Sequence, residues 1–545
     1  MLQTLEELEE LTKTLREKRV EIKEEINVCL GTNCLAIGND ETKKSLEACL
    51  AQKANNQDYK IKSVGCHGLC AQGPLVMVNS ATNEHEEIVY EKVKNEDSQR
   101  LIDAIVGEKS PDTLSDLLCK TDIPFFTKQK KIVLENAGII NPDSLDDYIL
   151  NDGYHALFYS LTHLSPEEVI EQVKLSGLRG RGGGGYPAGL KWESVAKAIS
   201  DKKYVICNGD EGDPGAFMDR AVMESDPHRV LEGMAICGYA VGADQGFIYV
   251  RAEYPVAVDR LRKAIKDAER NGLLGQKIAA TPFSFTIEVR LGGGAFVCGE
   301  ATALIASIEG NRGSPRQKPP HLSDRGFNGQ PTVLNNVETY ANIPPILRNG
   351  GEWYAGFGTE KSKGTKVFAL TGQVKHTGLV EVPMGMTLRE LIFDVGGGID
   401  GGKKFKAVQT GGPSGGCIPE SLLDQPIDYE SLKAVGSIMG SGGVIVMDET
   451  SSMVDVAKFF LEFCMTESCG KCAPCRVGTV QLHNLLDKFT KKEATQQDLT
   501  LLEELCRMIK ETSLCGLGQT APNPVLSTLR YFKDEYIAGI KKDSE

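Results

Sequence analysis

The 545-residue sequence contains no apolar stretch of membrane-spanning length, which argues against a transmembrane segment. It has no excess of positive charge, because its formal net charge is −14, and nucleic acids and anionic membranes are therefore poor partners. Its start, "MLQTLEELEELTKTLREKRV", lacks the basic leader and apolar core of a secretory signal. From these absences we expect a cytoplasmic protein with no direct membrane insertion and no nucleic-acid partner.

Cysteine, in contrast, is plentiful, with 16 in the chain. The cytoplasm keeps thiols reduced, so these cysteines are not expected to form disulfides. Several of them are grouped at short spacings, and such groups indicate metal or redox centres. A hydrophobic content of 41% and a charged content of 25% are typical of a globular protein.

The chain divides into four segments by composition, and together they predict a multidomain α/β protein. Residues 1–110 are rich in lysine and glutamate and carry two pairs of cysteines. Residues 115–345 are glycine-rich and alternate strand-like runs with helical patterns, which predicts a parallel sheet covered by helices. Residues 346–440 have short strands and one amphipathic helix, as in a small α+β module. Residues 441–545 show helical periodicity interrupted at cysteines, which predicts a helical bundle.

The stretch "ESCGKCAPCR" places Cys469, Cys472 and Cys475 at two successive C-x-x-C spacings. We assign Cys515, in the glycine-flanked loop "TSLCGLGQ", as the fourth ligand. Cys506 fits the apolar side of a helix in "LLEELCRMIKE" and is better interpreted as a buried hydrophobic residue. Three cysteines in one loop and one remote cysteine favour a [4Fe–4S] cluster, although structural zinc remains an alternative on spacing alone.

A second set of cysteines lies near the N-terminus, as Cys29 and Cys34 in "CLGTNC" and Cys66 and Cys70 in "GCHGLC". These C-x₄-C and C-x₃-C pairs suit a [2Fe–2S] cluster, in which each iron is held by two thiolates. A zinc ribbon is the alternative, but it usually has paired C-x₂-C loops. His67 lies inside a loop that already supplies two ligands, so we assign it a tuning or packing role.

Glycine-rich segments form a further group of candidate binding residues. A loop without Cβ atoms lets the backbone approach a phosphate or a flat ring, and neighbouring cations neutralise phosphate charge. A single glycine run is weak evidence, and no clear G-x-G-x-x-G motif follows a strand. Several such segments, each with a carboxylate or an amide, predict a nucleotide-sized pocket. The segments are "SGLRGRGGGGYPAGLKW" (176–192), "CNGDEGDPGAFMDR" (207–220), "GGGAFVCGEATALI" (292–305) and "PTVLNNVETY" (331–340).

These glycine-rich segments, followed by "ESCGKCAPCR" and "SLCGLG", resemble the NADH-binding flavoprotein subunit of complex I and its soluble relatives. Those relatives include subunits of NAD-linked hydrogenases, formate dehydrogenases and electron-bifurcating hydrogenases. The N-terminal segment resembles the thioredoxin-like [2Fe–2S] module that is fused to this subunit in many relatives. The resemblance implies a thioredoxin-like domain, a modified Rossmann-like FMN and NADH domain, a ubiquitin-like (soluble-ligand-binding-type) module and a helical bundle that carries the [4Fe–4S] cluster.

The resemblance also implies roles for individual residues. Glu211 and Asp213 would orient the nicotinamide, with Tyr186 beside it. Lys318 matches a position near the dinucleotide, and Leu517 lies beside the cluster loop, near the flavin. The implied FMN contacts are Gly180, Arg181, Gly182, Gly183, Lys191, Asn208, Asp210, Glu211, Gly299, Glu300, Asn335, Asn336 and Thr339.

The chain departs from the family pattern at three positions near the expected dinucleotide. Ala301 replaces the second glutamate of "CGEE", and His321 and Ser194 replace aromatic residues of the family's adenine clamp. An aromatic pair contributes about 0.5–1.5 kcal/mol beyond its buried area, so these changes should weaken adenine stacking. The choice between NADH and NADPH stays open at this point.

The function implied is that of an NADH dehydrogenase (acceptor), an NAD-linked oxidoreductase subunit. It would exchange hydride between NAD(H) and FMN and pass single electrons through the [4Fe–4S] and [2Fe–2S] clusters. The acceptors would be iron–sulfur subunits of a soluble hydrogenase or formate dehydrogenase complex, with ferredoxin as an indirect partner. Bifurcation is left open. A structural zinc protein and a scaffold that has lost its flavin are the alternatives.

The ligand assignment predicts about six irons per chain, four in one cluster and two in the other. Replacing Cys515 with serine should remove the electron paramagnetic resonance (EPR) signal of the four-iron cluster, because serine is a poor ligand in its place. The two-iron signal should persist, since its ligands are separate. Retention of both signals in Cys515→Ser would contradict the assignment.

Overall fold

The computed structural model of the chain describes residues 2–80 and 87–541. Its domains follow one another along the sequence, each built around its own sheet or helix bundle. Across these residues, no helix combines the length and the apolar character that crossing a bilayer requires.

The N-terminal domain is a mixed sheet with helices packed against it. Its elements are α1 (Leu5–Val20), β1 (Glu24–Cys29), α2 (Thr32–Ala36), α3 (Asn39–Leu50), β2 (Tyr59–Val64), β3 (Val76–Ser80), β4 (Glu87–Tyr90) and α4 (Ser98–Ile105). The strand order is β2-β1-β3-β4, with β1 and β2 parallel and the other pairs antiparallel. The strand β1 is largely buried and ends at Cys29, so the sheet positions the first cysteine of the N-terminal set.

The next domain contains the parallel sheet that the sequence predicts. Its elements are α5 (Pro124–Thr127), α6 (Leu145–Leu150), α7 (His155–His163), α8 (Pro166–Leu175), α9 (Ala188–Lys197), β5 (Tyr204–Gly209), α10 (Met218–Ser225), α11 (Pro227–Val241), β6 (Gln245–Arg251), α12 (Pro255–Arg270), β7 (Thr286–Gly292), α13 (Ala301–Ile308), β8 (Thr332–Asn336), α14 (Val337–Ala341), α15 (Ile343–Asn349) and α16 (Gly351–Ala355). The strand order is β7-β6-β5-β8. Asn208 and Asn336 are paired at the carboxyl ends of β5 and β8, the edge at which open α/β sheets bind ligands.

A third, smaller domain is built on another mixed sheet. Its elements are β9 (Thr365–Gly372), β10 (Gly378–Pro383), a π-helical segment (Glu390–Val395), β11 (Phe405–Thr410), β12 (Gly416–Pro419), α17 (Tyr429–Ala434) and β13 (Gly443–Asp448). The strand order is β10-β9-β13-β11-β12, and β9 and β13 are parallel. The strand β13 lies in the middle of this sheet, although its residues follow position 440, where the sequence division ends the module.

The C-terminal region is helical, as the periodicity predicts. Its elements are α18 (Met453–Thr466), α19 (Ala473–Thr490), α20 (Gln496–Thr512), α21 (Gly516–Thr520), α22 (Asn523–Tyr531) and α23 (Lys533–Ala538). Ser452 and Thr495 begin α18 and α20 as N-caps that accept backbone N–H bonds. Cys506 is fully buried in the core between these helices, in agreement with its interpretation as a hydrophobic residue.

A buried ion pair joins the second and third domains. Lys366 on β9 donates to the carboxylate of Glu338 on α14, and both side chains are at most 1% exposed. The other oxygen of Glu338 accepts the backbone N–H of Val367 at 2.9 Å. The N-terminal end of β9 is thereby fixed against the helix that follows β8.

We expect Lys366→Met to destabilise the protein by about 3–5 kcal/mol, because it leaves the Glu338 carboxylate buried without its cation. The double variant Lys366→Met/Glu338→Gln should recover part of that loss. Thermal and denaturant unfolding of the three proteins measure both effects.

The matched control is Arg389→Met, which breaks an ion pair with Asp424 whose side chains are 43% and 73% exposed. Exposed pairs of this kind contribute about 0–1 kcal/mol. Equal losses of unfolding free energy in Lys366→Met and Arg389→Met would contradict the larger stabilising effect expected of the buried pair.

Candidate cofactor and cluster sites

The glycine-rich segments meet in one cavity of about 520 Å³ at the carboxyl ends of β5 and β8. This volume falls within the range of about 300–1,000 Å³ of small-molecule sites. The residues predicted from the sequence that line it are Gly182, Gly183, Asn208, Asp210, Glu211, Asp213, Gly299, Glu300, Lys318, Asn336 and Leu517. Six further predicted residues lie around the cavity without lining it: Gly180, Arg181, Tyr186, Lys191, Asn335 and Thr339.

Arg181 is turned from the cavity towards the third domain. Its guanidinium, 1% exposed, donates to the carbonyl oxygens of Thr365 and Lys363 at 3.0 and 2.7 Å and to the Tyr354 hydroxyl at 2.9 Å. Its backbone N–H donates to Thr339 Oγ1 at 2.9 Å. In this structure Arg181 and Thr339 hold the glycine loop in place, and direct contact with a cofactor stays a prediction for both.

Lys191 lies behind the wall of the cavity, on α9. Its ammonium donates to the Leu334 carbonyl oxygen at 2.7 Å and to Asn335 Oδ1 at 3.1 Å. Burial lowers the pKa of Lys191 to about 8. Tyr186 is half-exposed, and the Gly180 carbonyl oxygen accepts a bond from the Tyr429 hydroxyl at 2.8 Å.

Carboxylates dominate one side of the cavity. Neither carboxyl oxygen of Asp210 has a hydrogen-bond partner among the described residues, and burial raises the pKa of this group to about 7. Burial also raises the pKa of Asp213 to about 6, although Ser441 Oγ donates to it at 2.5 Å. Glu211 accepts the backbone N–H groups of Asp219 and Arg220, each at 3.1 Å, and burial raises its pKa.

The positions expected near the dinucleotide comprise Glu300 and Lys318, which keep the family pattern, and three residues that depart from it. Glu300 caps α13 through Thr302 N–H at 2.8 Å and accepts Lys318 Nζ at 2.8 Å. Ala301 lines the cavity beside it, whereas Ser194 and His321 are outside the lining.

The cavity also has a wall that sequence reasoning missed. Loops of the third domain supply Gly411, Ser414, Ile438, Gly440 and Ser441, and the second domain adds Asp219 and Phe296. The signal for the loops was available in "QTGGPSGG" and "IMGSGG", which are as glycine-rich as the segments that were identified.

These residues fit a flavin mononucleotide. Gly183 has φ +107°, and a Cβ there would lie 3.2 Å from the Gly440 carbonyl carbon, so the loop and the third domain approach as bare backbone. Asp210 and the buried amide nitrogen of Asn335 lack partners among the residues described, which leaves an acceptor and a donor for a polyhydroxyl chain.

The C-terminal cysteines meet beside this cavity. Cys469, Cys472, Cys475 and Cys515 line one small cavity together, with Cys472 and Cys515 directly preceding α19 and α21. Helix N-termini favour negative charge, as thiolate ligands require. Burial raises the pKa of Cys475 to about 11, so its thiolate needs a nearby cation.

The N-terminal cysteines line another cavity, where Cys29, Cys34 and Cys66 face α10 of the second domain. Cys70 completes the set, with its Sγ 3.6 Å from Cys66 Sγ. His67 is buried against Phe126, and a packing role for it agrees with this position.

Within residues 2–80 and 87–541, no group of three or more His, Cys, Asp or Glu side chains is arranged to hold a single metal ion.

Four protein-family models match separate segments of the chain. Residues 173–345 match the Nuo51 FMN-binding domain, and residues 455–539 match the NADH-ubiquinone oxidoreductase-F iron–sulfur binding region. Residues 15–106 match the thioredoxin-like [2Fe–2S] ferredoxin, and residues 367–418 match the SLBB domain. The expected fold class and cofactors are confirmed by these matches.

Individual relatives agree with the family models. The chain is 58% identical over 413 residues to the NADP-reducing hydrogenase subunit HndC of Solidesulfovibrio fructosivorans, covering 76% of this chain and 84% of the relative. It is 45% identical to an NADH-quinone oxidoreductase subunit of Aquifex aeolicus, covering 76% of this chain and 95% of the relative. A crystal structure of NAD⁺-reducing [NiFe]-hydrogenase in the H₂-reduced state matches with TM-score 0.68 and 28% identity, covering 99% of this chain and 90% of that one.

We expect Asp210→Asn to change the pH dependence of stability of the flavin-free protein. The folded-state pKa of Asp210, about 7, lies above its ordinary 3.8, so its ionised form is disfavoured by folding. Wild-type stability should therefore fall as pH rises from about 4 through 7, by up to roughly 4 kcal/mol, and the variant should lack this fall. Asp210→Asn should also retain less FMN.

Unfolding at pH 4 and pH 8, with and without FMN, measures these effects. Asp259→Asn, an exposed carboxyl on α12, is the matched control and should follow the wild type. Parallel pH profiles for Asp210→Asn and the wild type would rule out the buried-carboxyl explanation.

Proposed function

Because this chain belongs to the family of NADH-binding FMN and iron–sulfur subunits of complex I and its soluble relatives, we propose a specific route through it. The chain is an NAD(H)-linked oxidoreductase subunit with FMN, [4Fe–4S] and [2Fe–2S] cofactors. In our proposal the 520 Å³ cavity takes FMN and the dinucleotide, and Cys469, Cys472, Cys475 and Cys515 hold the cluster that receives electrons first.

One observation carries this proposal. The glycine-rich cavity and the four-cysteine cavity share a wall, because Val297 and Leu517 line both of them. A redox group in one cavity would be separated from a redox group in the other by a single layer of side chains. Such proximity is what single-electron transfer between neighbouring groups requires.

When bound, FMN supplies the conversion between two-electron hydride chemistry and one-electron cluster chemistry. The protein groups bind and orient. Glu211 is fixed by two backbone N–H groups, and Asp213 is fixed by Ser441, so both carboxyls are rigid where the nicotinamide would lie. With a pKa of about 6, Asp213 is largely ionised at pH 7.

Partners are proposed at a finer level than the family assignment. HndC is named as a subunit of an NADP-reducing hydrogenase, and its 58% identity supports a hydrogenase-type complex for this chain. A formate dehydrogenase complex is the alternative within the same family, and ferredoxin would be an indirect partner. The closely grouped cysteines of both sets suit cluster ligation rather than disulfides, and this supports a cytoplasmic location.

An anaerobic titration of the purified protein tests the function. We expect NADH to bleach the flavin absorbance and then to produce both cluster signals in EPR. The same titration with NADPH decides the nucleotide preference left open by Ala301, Ser194 and His321. Artificial one-electron acceptors should restore the oxidised spectrum.

Cys417→Ser, a change at a buried cysteine in the third-domain core, is the matched control and should leave every signal in place. Cluster absorbance without flavin would favour the scaffold alternative. A colourless protein that contains zinc would overturn the proposal.

A further inference from the structure

The helix α10 forms part of both redox-site walls. At its start, the backbone N–H groups of Asp219 and Arg220 hold Glu211 inside the glycine-rich cavity. On the same helix, Arg220, Ala221 and Glu224 line the cavity that contains Cys29, Cys34 and Cys66. Positions 220, 221 and 224 follow helical spacing and share one face. This face is directed at the N-terminal cysteine set.

Arg220 is the one positively charged residue among the described residues that line this cysteine cavity. Its guanidinium donates to Asn33 Oδ1 at 3.3 Å, and Asn33 lies in α2, directly before Cys34. The guanidinium carbon also lies 5.6 Å from the Phe217 ring centroid and 5.4 Å from that of Tyr254. Two aromatic rings and one amide therefore fix the charge beside the cysteine loop.

The negative group in the same wall is Glu224, whose carboxylate is held by the N-terminal domain. It accepts the backbone N–H of Thr32 at 2.9 Å and the Thr32 hydroxyl as well. One of its oxygens lies 3.9 Å from Arg220 Nε, which is an ion-pair separation without a hydrogen bond. Arg220 therefore pairs with Glu224 through Nε, while its terminal nitrogen donates to Asn33 beside the cysteines.

We propose that Arg220 sets the reduction potential of the [2Fe–2S] cluster held by Cys29, Cys34, Cys66 and Cys70. This inference rests on the cluster assignment in the proposed function. One-electron reduction adds one negative charge to the site, and a fixed cation in a partly buried wall stabilises that charge. Loss of the cation therefore makes reduction harder, whereas a replacement that keeps the charge does not.

The test is an EPR-monitored redox titration of the whole protein with dithionite and mediators. In Arg220→Met the two-iron reduction equilibrium should shift at least about tenfold towards the oxidised form, or about 59 mV more negative for one electron. Arg220→Lys should stay within about twofold of the wild type. The four-iron potential should not change, because its cysteines lie in a separate cavity.

Arg262→Met, which removes an exposed charge on α12, is the matched control and should leave the potential unchanged. If Arg220→Met does not assemble the cluster, Arg220→Gln carries the same expectation while retaining a donor for Asn33. An unchanged potential in a variant that retains the two-iron signal overturns the role of Arg220. Absence of the two-iron signal from the wild type would instead overturn the cluster assignment, so the two failures are distinguishable.

Discussion

The arrangement of the redox sites depends on a buried polar chain that runs from the glycine-rich cavity into the third domain. Asp219, at the cavity, accepts Asn336 Nδ2 at 2.5 Å and the backbone N–H of Glu338 at 3.3 Å. Glu338 in turn binds Lys366 and the backbone of Val367. Each buried polar group is stabilised by a hydrogen bond or an ion pair with the next group, because a buried charge without a partner is strongly unfavourable. This series of contacts holds the end of β8 and the start of β9 in a fixed position relative to each other.

Because the second and third domains are fixed relative to each other, residues from more than one domain form the cavity. Gly183 forms a backbone bridge with Gly440, and Ser441 reaches Asp213 from the same loop. Arg181 adds a further tie through the Thr365 carbonyl oxygen. The parallel sheet presents Asn208 and Asn336 at its carboxyl edge, but it leaves the opposite side open. Enclosure of the cavity therefore requires the third domain to dock.

Sequence reasoning reached furthest where the chemistry is local. The three cysteines of one loop lie around one cavity with Cys515, and helical periodicity separated Cys506, now found in the core, from Cys515 at the cavity. Their role as cluster ligands stays a prediction. The residues at the carboxyl ends of the strands could also be predicted from the sequence, because parallel strands end at the same edge of the sheet. Ser441 and Gly440 were missed because nothing in a glycine-rich loop states which domain it will face. The orientation of Arg181 was similarly hidden, since its partners include backbone oxygens at the start of β9 and just before it, which are distant in the sequence.

The two cysteine sets lie at opposite ends of the sequence, yet each is built onto a wall of the same cavity. The four-cysteine set shares Val297 and Leu517 with it, and the N-terminal set packs against the outer face of α10, whose first residues bind Glu211 inside it. Fusion of an N-terminal domain by a linker alone would not produce this contact. The ties between Thr32 and Glu224 and between Cys66 N–H and Ser225 Oγ, at 3.0 Å, produce it instead. Each cysteine set therefore lies against a wall of the same cavity because of specific side chains on α10 and α21. This arrangement persists only while those side chains are retained.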